Sequence, residues 1–303
     1  MGKDLAERFP DARAVFDAID TALGVGLSRI MFDGPEEDLI ATQNAQPAIL
    51  AHSAAVFTIV RTKLRAGGAG GAGAPVTAAG HSLGEYSAYV TAGALDAAAA
   101  AKLVRRRGEL MQKAGEERPG TMAAVLGLPT NEVEAACEEA SQQASLAVAA
   151  NINAPDQTVI SGDPDAVTRA GEACKKRGAK RVIPLKVSGA FHSPLMAPAR
   201  NHLQLALERA QFADPAFPVV ANATAEAVKD AGRARRLLSD QLTAAVRWVE
   251  CMEHAARLGG EDARFVEIGP GAVLAGLLKR IVPEANVVSL GTADEVTKFM
   301  EAA

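Results

Sequence analysis

Gly80-His81-Ser82-Leu83-Gly84 sets a serine between two glycines in the pattern G-x-S-x-G. A serine hydroxyl is a weak nucleophile that becomes useful when a sharp turn exposes it beside a base. The flanking residues supply such a turn. Residues 75–79 (PVTAA) read as a strand, and Leu83 to about Ala92 as a helix that Gly93 stops. A strand, turn and helix of this kind lift Ser82 above the sheet edge. The Leu83 amide opens the helix, where the helix dipole favours a developing negative charge, so Leu83 is the candidate oxyanion donor.

A base must come from elsewhere among His52, His81, His192, His202 and His254. His52 lies in an apolar helix and reads as a satisfied core residue. His202 and His254 sit on polar-faced helices and read as surface residues. His81 adjoins Ser82, but neighbours on a sharp turn point apart, which gives it a structural reading. His192, in VSGAFHSPLM, stands at a loop-to-helix junction and is the candidate base, since loop sites carry function.

Arg107 is singled out by angle. On the helix that Asp96 caps, with Leu103 at zero and about 100° per residue, Leu110 falls near −20°, Arg107 near +40° and Met111 near +80°. Arg107 therefore projects from an apolar stripe, where an unpaired charge is costly. Two readings stand side by side: a structural salt bridge, or a clamp for a substrate carboxylate.

These residues need a frame. A helix from Pro10 to Leu23 carries Val15, Phe16, Ile19 and Leu23 along one side and ends at Gly24. A second, from about Pro47 to Leu64, is apolar on most sides and reads as buried. Gly68, Gly70 and Gly73 satisfy G-x-G-x-x-G, but they follow a helix instead of a strand, so the run 66–75 reads as a connector. Between Thr121 and Val187 the order is β-α-β-β-α-β, a ferredoxin-like arrangement, with Asp163 as a candidate helix cap. Outside it, strands alternate with helices, which favours a mostly parallel sheet. The fold class expected is α/β: an α/β-hydrolase-like body, about 1–119 and 188–303, with a ferredoxin-like insertion at about 120–187. At 303 residues, two parts match the usual domain size.

Composition closes off other classes. The formal charge is −4, so no basic excess points to nucleic acid. The three cysteines are far apart with no CxxC pair, which fits a reducing compartment and no zinc site. No run of about 18 apolar residues predicts a membrane span, and the start lacks the apolar stretch of a signal peptide. A cytoplasmic protein is expected.

GHSLGEYSA, the Arg107-Gly108 pair, NINAPDQTVISG, VSGAFHSPLM, QLTAAVRW and FVEIGPG follow one another in an order and spacing that resembles the malonyl-CoA:acyl carrier protein transacylase family over essentially the whole chain. The resemblance implies transfer of a malonyl group from malonyl-CoA to acyl carrier protein through a malonyl-serine intermediate. No metal or other cofactor is implied. Ser82 is then the nucleophile and His192 the base, with the backbone carbonyl of Gln241 orienting His192. Arg107 holds the malonyl carboxylate, Gln46 lines the site, and His81, Asn151 and Asn153 join the substrate side. Phe191 matches malonyl-selective members, although a steric pocket discriminates one methyl by only about 1–3 kcal/mol. Lys180, Arg181, Lys186 and Arg106 are docking candidates for an acidic carrier protein; they read equally as solvated charges.

The family begins with a short strand and a Phe-Pro-Gly-Gln-Gly motif, whose glutamine supplies a second oxyanion donor. This chain starts at Met1-Gly2-Lys3, just past that motif. The expectation is one body strand fewer and a rate reduced by about 10²–10³. Two rivals remain: a serine esterase or thioesterase on the same elbow, and a weakly active carrier-binding variant.

Overall fold

The computed structural model describes residues 1–65 and 75–302. The glycine-rich run read as a connector lies, but for Pro75, outside the described residues.

Helices α1 (Lys3–Arg8), α2 (Pro10–Leu23), α3 (Leu27–Asp33), α4 (Glu36–Ile40) and α5 (Thr42–Arg65) open the chain. Pro10 takes the first turn of α2, and Gly24 ends it in the left-handed conformation at φ 66°. Its buried face presents Ala12, Phe16 and Ile19. The short α1, α3 and α4 carry too few turns to show an apolar period in sequence. Helix α5 begins five residues before the expected Pro47, which lies inside it.

Strand β1 (Ala78–Ala79) leads through the serine turn into α6 (Gly84–Thr91) and α7 (Ala97–Glu117). The Asp96 carboxylate caps α7, accepting from the amides of Ala98 and Ala99 at 3.0 and 3.1 Å. Leu103, Val104, Leu110, Met111 and Ala114 form the buried stripe of α7, and Arg107 lies within it.

The segment read as an insertion runs β2 (Thr121–Leu126), α8 (Thr130–Ala140), β3 (Ala147–Ala154), β4 (Gln157–Gly162), α9 (Pro164–Lys176) and β5 (Arg181–Pro184). Its sheet order is β3-β4-β2-β5, antiparallel throughout. Val125, Val133, Cys137, Ile160, Val167 and Cys174 form a separate core between this sheet and its two helices. Asp163 stands at the cap position of α9, but its side chain makes no cap bond. Instead it accepts from the Leu146 amide at 2.9 Å and pairs with Arg118, where α7 ends, at 2.9 Å. The guanidinium competes better for the carboxylate than the helix amides do, and so ties the insertion to the body.

The chain returns through a short 3₁₀ turn at Pro194–Met196. Then come α10 (Ala197–Arg209), β6 (Val219–Val220), β7 (Ala227–Val228), α11 (Ala231–Asp240), α12 (Trp248–Gly259), β8 (Arg264–Ile268), α13 (Val273–Ile281), β9 (Asn286–Leu290) and α14 (Ala293–Glu301). Parallel pairing links β1 to β6 and β8 to β9, with β7 antiparallel on β6. Among the described residues, the body therefore has its strands in two small sheets, not one continuous sheet. Strand β1 pairs only over Ala78 and Ala79, three residues later than the expected start at Pro75, and ends where expected, at the serine turn that Gly80 begins.

Two contacts fix the insertion over the body. The Ile152 amide donates to the Val246 carbonyl at 2.9 Å, and the Val246 amide donates to the Ala150 carbonyl at 2.8 Å. On α7, Gly115 lies so close to Ser188 that a methyl group there would overlap the Ser188 carbonyl oxygen. Gly276, on an exposed turn of α13, has open space where a methyl group would sit, with no atom within 4 Å. Gly115→Ala should therefore destabilise the protein by about 1–3 kcal/mol through overpacking. Gly276→Ala should stabilise it by up to about 1 kcal/mol through helix propensity. Urea unfolding of the two variants checks the contrast.

Candidate active site

Ser82 sits at φ 50°, in the left-handed region that a side chain rarely adopts. Gly80 makes the turn feasible, since a Cβ there would overlap the backbone of Gly84. Gly84 has open space around its missing Cβ. Asn222, in the turn after β6, braces the strained residue on both sides. Its Oδ1 accepts from the Ser82 amide at 2.7 Å, and its Nδ2 donates to the Gly80 carbonyl at 2.9 Å.

His192 Nε2 lies 2.8 Å from Ser82 Oγ. Its Nδ1 lies 2.9 Å from the Gln241 carbonyl oxygen, which can only accept. The proton is therefore on Nδ1, and Nε2 is free to take the serine proton. Burial, and then the charge of Arg107, push the His192 pKa down to about 3. His192 is also left-handed, at φ 56°. The Ser193 hydroxyl, which donates to the Ala190 carbonyl at 2.6 Å, closes the loop around it.

Arg107 is only 1% exposed. Its Nη1 donates to Gln46 Oε1 at 2.7 Å; its Nη2 donates to Ser82 Oγ at 2.9 Å and to Gln241 Oε1 at 3.1 Å. These are neutral partners, so the structural salt-bridge reading finds no carboxylate on the guanidinium. Gln46 also donates to Met111 Sδ at 3.6 Å, which fixes its amide.

Two residues of this site carry no role in the sequence motifs: Glu85 and Asn222. Glu85 is fully buried on α6. Its Oε2 accepts from Gln241 Nε2 at 2.8 Å and from the Asn222 amide at 3.0 Å. Burial pushes its pKa up to about 7, against the hydrogen bonds from Asn222 and Gln241 and the charge of Arg107. A signal for Glu85 existed: it lies on the same stripe of α6 as Ala88 and Tyr89, the angular argument that found Arg107. Asn222 carries no local signal at all.

The other candidates occupy distinct places. The Leu83 amide, at the start of α6, donates to no group among the described residues. His81 turns away from the serine: its Nε2 meets Asn153 Oδ1 at 2.8 Å, and its ring stands edge-on to Trp248 at 5.4 Å. Asn153 thus acts on His81, and Asn151 links insertion to body through its backbone bridge to Val246. The contacts of these two asparagines run to His81 and Val246, one step removed from Ser82, His192 and Arg107. Phe191 is half-buried between the body core and the insertion sheet. His52 is buried as expected, but its Nδ1 has no hydrogen-bond partner, and burial lowers its pKa to about 4. His254 is only partly exposed and bonds the Ala225 carbonyl at 2.8 Å.

A left-handed serine, a histidine locked in the accepting tautomer and a free amide at a helix start are the parts of a serine acyl-transfer enzyme. The sequence profile of the acyl transferase domain matches residues 1–301. The malonyl CoA-acyl carrier protein transacylase of Bacillus subtilis is 39% identical over 98% of this chain and 90% of its own length. That of Escherichia coli K12 is 39% identical over 99% and 94%. The crystal structure of an acyl carrier protein S-malonyltransferase from Vibrio cholerae superposes with a TM-score of 0.91 at 40% identity, covering 98% of this chain and 94% of that one. A type II PKS acyl-carrier protein complex with its malonyl-transacylase gives a TM-score of 0.91 at 40% identity, covering 100% and 95%. The chain belongs to the malonyl CoA-acyl carrier protein transacylase family.

Two outcomes follow from the geometry. With His192 held neutral to about pH 3, labelling of Ser82 by a sulfonyl fluoride should stay level from about pH 8 to about pH 5. An ordinary histidine would lose about tenfold per pH unit below about 6.5. Asn222→Ala leaves the Ser82 amide and Gly80 carbonyl unpaired, and should cost about 1–3 kcal/mol in urea unfolding.

Proposed function

We propose that this protein moves a malonyl group from malonyl-CoA to the pantetheine thiol of acyl carrier protein, in ping-pong order through a malonyl-serine ester. The observation that carries this reading is Arg107, buried and 2.9 Å from Ser82 Oγ. A generic esterase needs no buried cation beside its nucleophile; an acyl group that ends in a carboxylate does.

In the first half-reaction Ser82 Oγ attacks the thioester carbonyl while His192 Nε2 takes its proton. The Leu83 amide faces the oxygen that becomes negative. The C–S bond breaks, and His192 returns the proton to the leaving CoA sulfur. In the second half, the carrier thiol gives its proton to His192 and attacks the serine ester. Collapse of that adduct releases malonyl-carrier protein and restores the Ser82 hydroxyl. The Gln241 carbonyl stabilises the imidazolium in both halves through Nδ1–H. It takes the place of an acid, since it orients the ring without adding a charge.

In this reading the body at 1–119 and 188–303 carries Ser82, Arg107 and His192, and the insertion at 120–187 backs them one step removed, with Asn153 on His81 and Asn151 on Val246. Phe191 limits bulk beside the acyl carbon. Lys180, Arg181 and Lys186 are exposed on the insertion, and Arg106 lies exposed on α7 in an ion pair with Glu109 at 3.3 Å. An acidic carrier protein would be drawn to this charge. Cys137, Cys174 and Cys251 are free thiols, which supports a cytoplasmic location. No helix among the described residues is long and apolar enough to cross a membrane.

Brief exposure to malonyl-CoA without carrier protein should leave one malonyl adduct by intact-protein mass spectrometry. Ser82→Ala should leave none, and adding acyl carrier protein should discharge the adduct. A folded wild-type protein that takes no malonyl group would overturn the assignment.

A further inference from the structure

We propose that in the resting enzyme Arg107 latches Ser82, and that the carboxylate of the incoming acyl group releases it. This rests on the malonyl reading and deepens it: the carboxylate becomes necessary for chemistry as well as for binding.

A guanidinium carries five N–H donors in one plane. A carboxylate held by two parallel bonds takes one of two edges, Nε with Nη2 or Nη1 with Nη2, because the Cδ stem blocks the third. Both edges require Nη2. In Arg107 that nitrogen already donates to Ser82 Oγ at 2.9 Å and to Gln241 Oε1 at 3.1 Å, so both its protons are engaged. Nη1 has one proton on Gln46 Oε1, and the buried Nε has no partner. A carboxylate is held by two bonds only after one acceptor leaves Nη2.

Gln241 is poorly placed to leave. Its side chain is fully buried, and its amide nitrogen is tied to the Ser82 carbonyl at 2.9 Å and to Glu85 Oε2 at 2.8 Å. Ser82 is partly exposed, and its hydroxyl moves by rotation about one bond. The Ser82 contact is accordingly the one that yields.

While latched, one lone pair of Oγ points at a cation and is a poorer nucleophile. Its O–H still meets His192 Nε2 at 2.8 Å. When a carboxylate takes the Nη2 proton, that lone pair is freed with the reacting carbonyl one methylene away. The carboxylate also offsets the Arg107 charge, one of the causes that holds His192 weakly basic. Acyl groups without a carboxylate meet a serine still latched.

The test supplies the carboxylate separately from the acyl group. Acetyl-CoA is mixed with the wild-type protein, and the acetyl-Ser82 adduct is timed by intact mass. In this step the Ser82 O–C bond forms, the C–S bond breaks, and CoA leaves with the serine proton. Saturating formate should accelerate acetylation about tenfold, the scale of one charge-assisted hydrogen bond. Chloride at equal ionic strength should not, and Arg107→Met should lose the formate effect. If formate leaves the wild-type rate unchanged or slows it while malonyl-CoA labels Ser82 in the same preparation, the latch is wrong and Arg107 only binds. If malonyl-CoA itself leaves no adduct, the substrate reading fails and takes the latch with it.

Discussion

The backbone at Ser82 is bent into a conformation that costs free energy, and the surrounding structure must hold it there. At φ 50° Ser82 is presented at the end of β1 and the start of α6, with the Leu83 amide beside it. A left-handed non-glycine residue persists only where its surroundings over-determine it. Here they do so through the close approach of Gly80 to Gly84 and the double brace of Asn222. The Asn222 amide is held in turn by Glu85, and Glu85 also holds the Gln241 side chain. The turn, His192 and Arg107 therefore share one buried polar network, and a change in any member reaches the others.

That network contains one buried cation and no carboxylate in direct contact with it. Glu85 is an acid of this network, and burial pushes its pKa up to about 7, which favours its neutral form more than in an ordinary carboxylate. The Arg107 guanidinium donates to the amide oxygens of Gln46 and Gln241 and to Ser82 Oγ. Such an arrangement is unfavourable in a purely structural residue, where a paired acid would serve better. It suits a residue that awaits an anionic ligand. Burial, and then the same charge, keep His192 neutral across the physiological range, with Nε2 free as an acceptor.

The two parts of the chain contribute differently. The body supplies Ser82, Arg107, His192 and the Gln241 carbonyl that meets the His192 ring. The insertion has its own core and grips the body at the Ala150–Ile152 stretch and at the Arg118–Asp163 pair. The backbone at Asn151 and the side chain of Asn153 reach toward the serine turn by way of Val246 and His81. Asp163 is instructive. A helix-capping residue by local pattern, it is drawn off by an arginine from beyond the insertion.

Local pattern determined a good part of this protein. Pro10 and Gly24 bound α2, Asp96 caps α7, and periodicity placed Arg107 on a buried face, because these depend on residues within a few turns of one another. The serine turn was legible for the same reason. Glu85 was legible in principle, by the same periodicity, but a lone glutamate in a helix is usually solvated. What decided the site lay beyond local reach. Asn222 stands 140 residues from Ser82 and meets it only through the parallel pairing of β1 and β6. The Nδ1 proton of His192 is fixed by a carbonyl 49 residues away. The sequence alone determined which groups were available, since composition and helical period are properties of neighbours along the chain. Only the tertiary structure decided how Arg107 divides its protons among Gln46, Ser82 and Gln241, since hydrogen-bond geometry is set by groups that folding brings together.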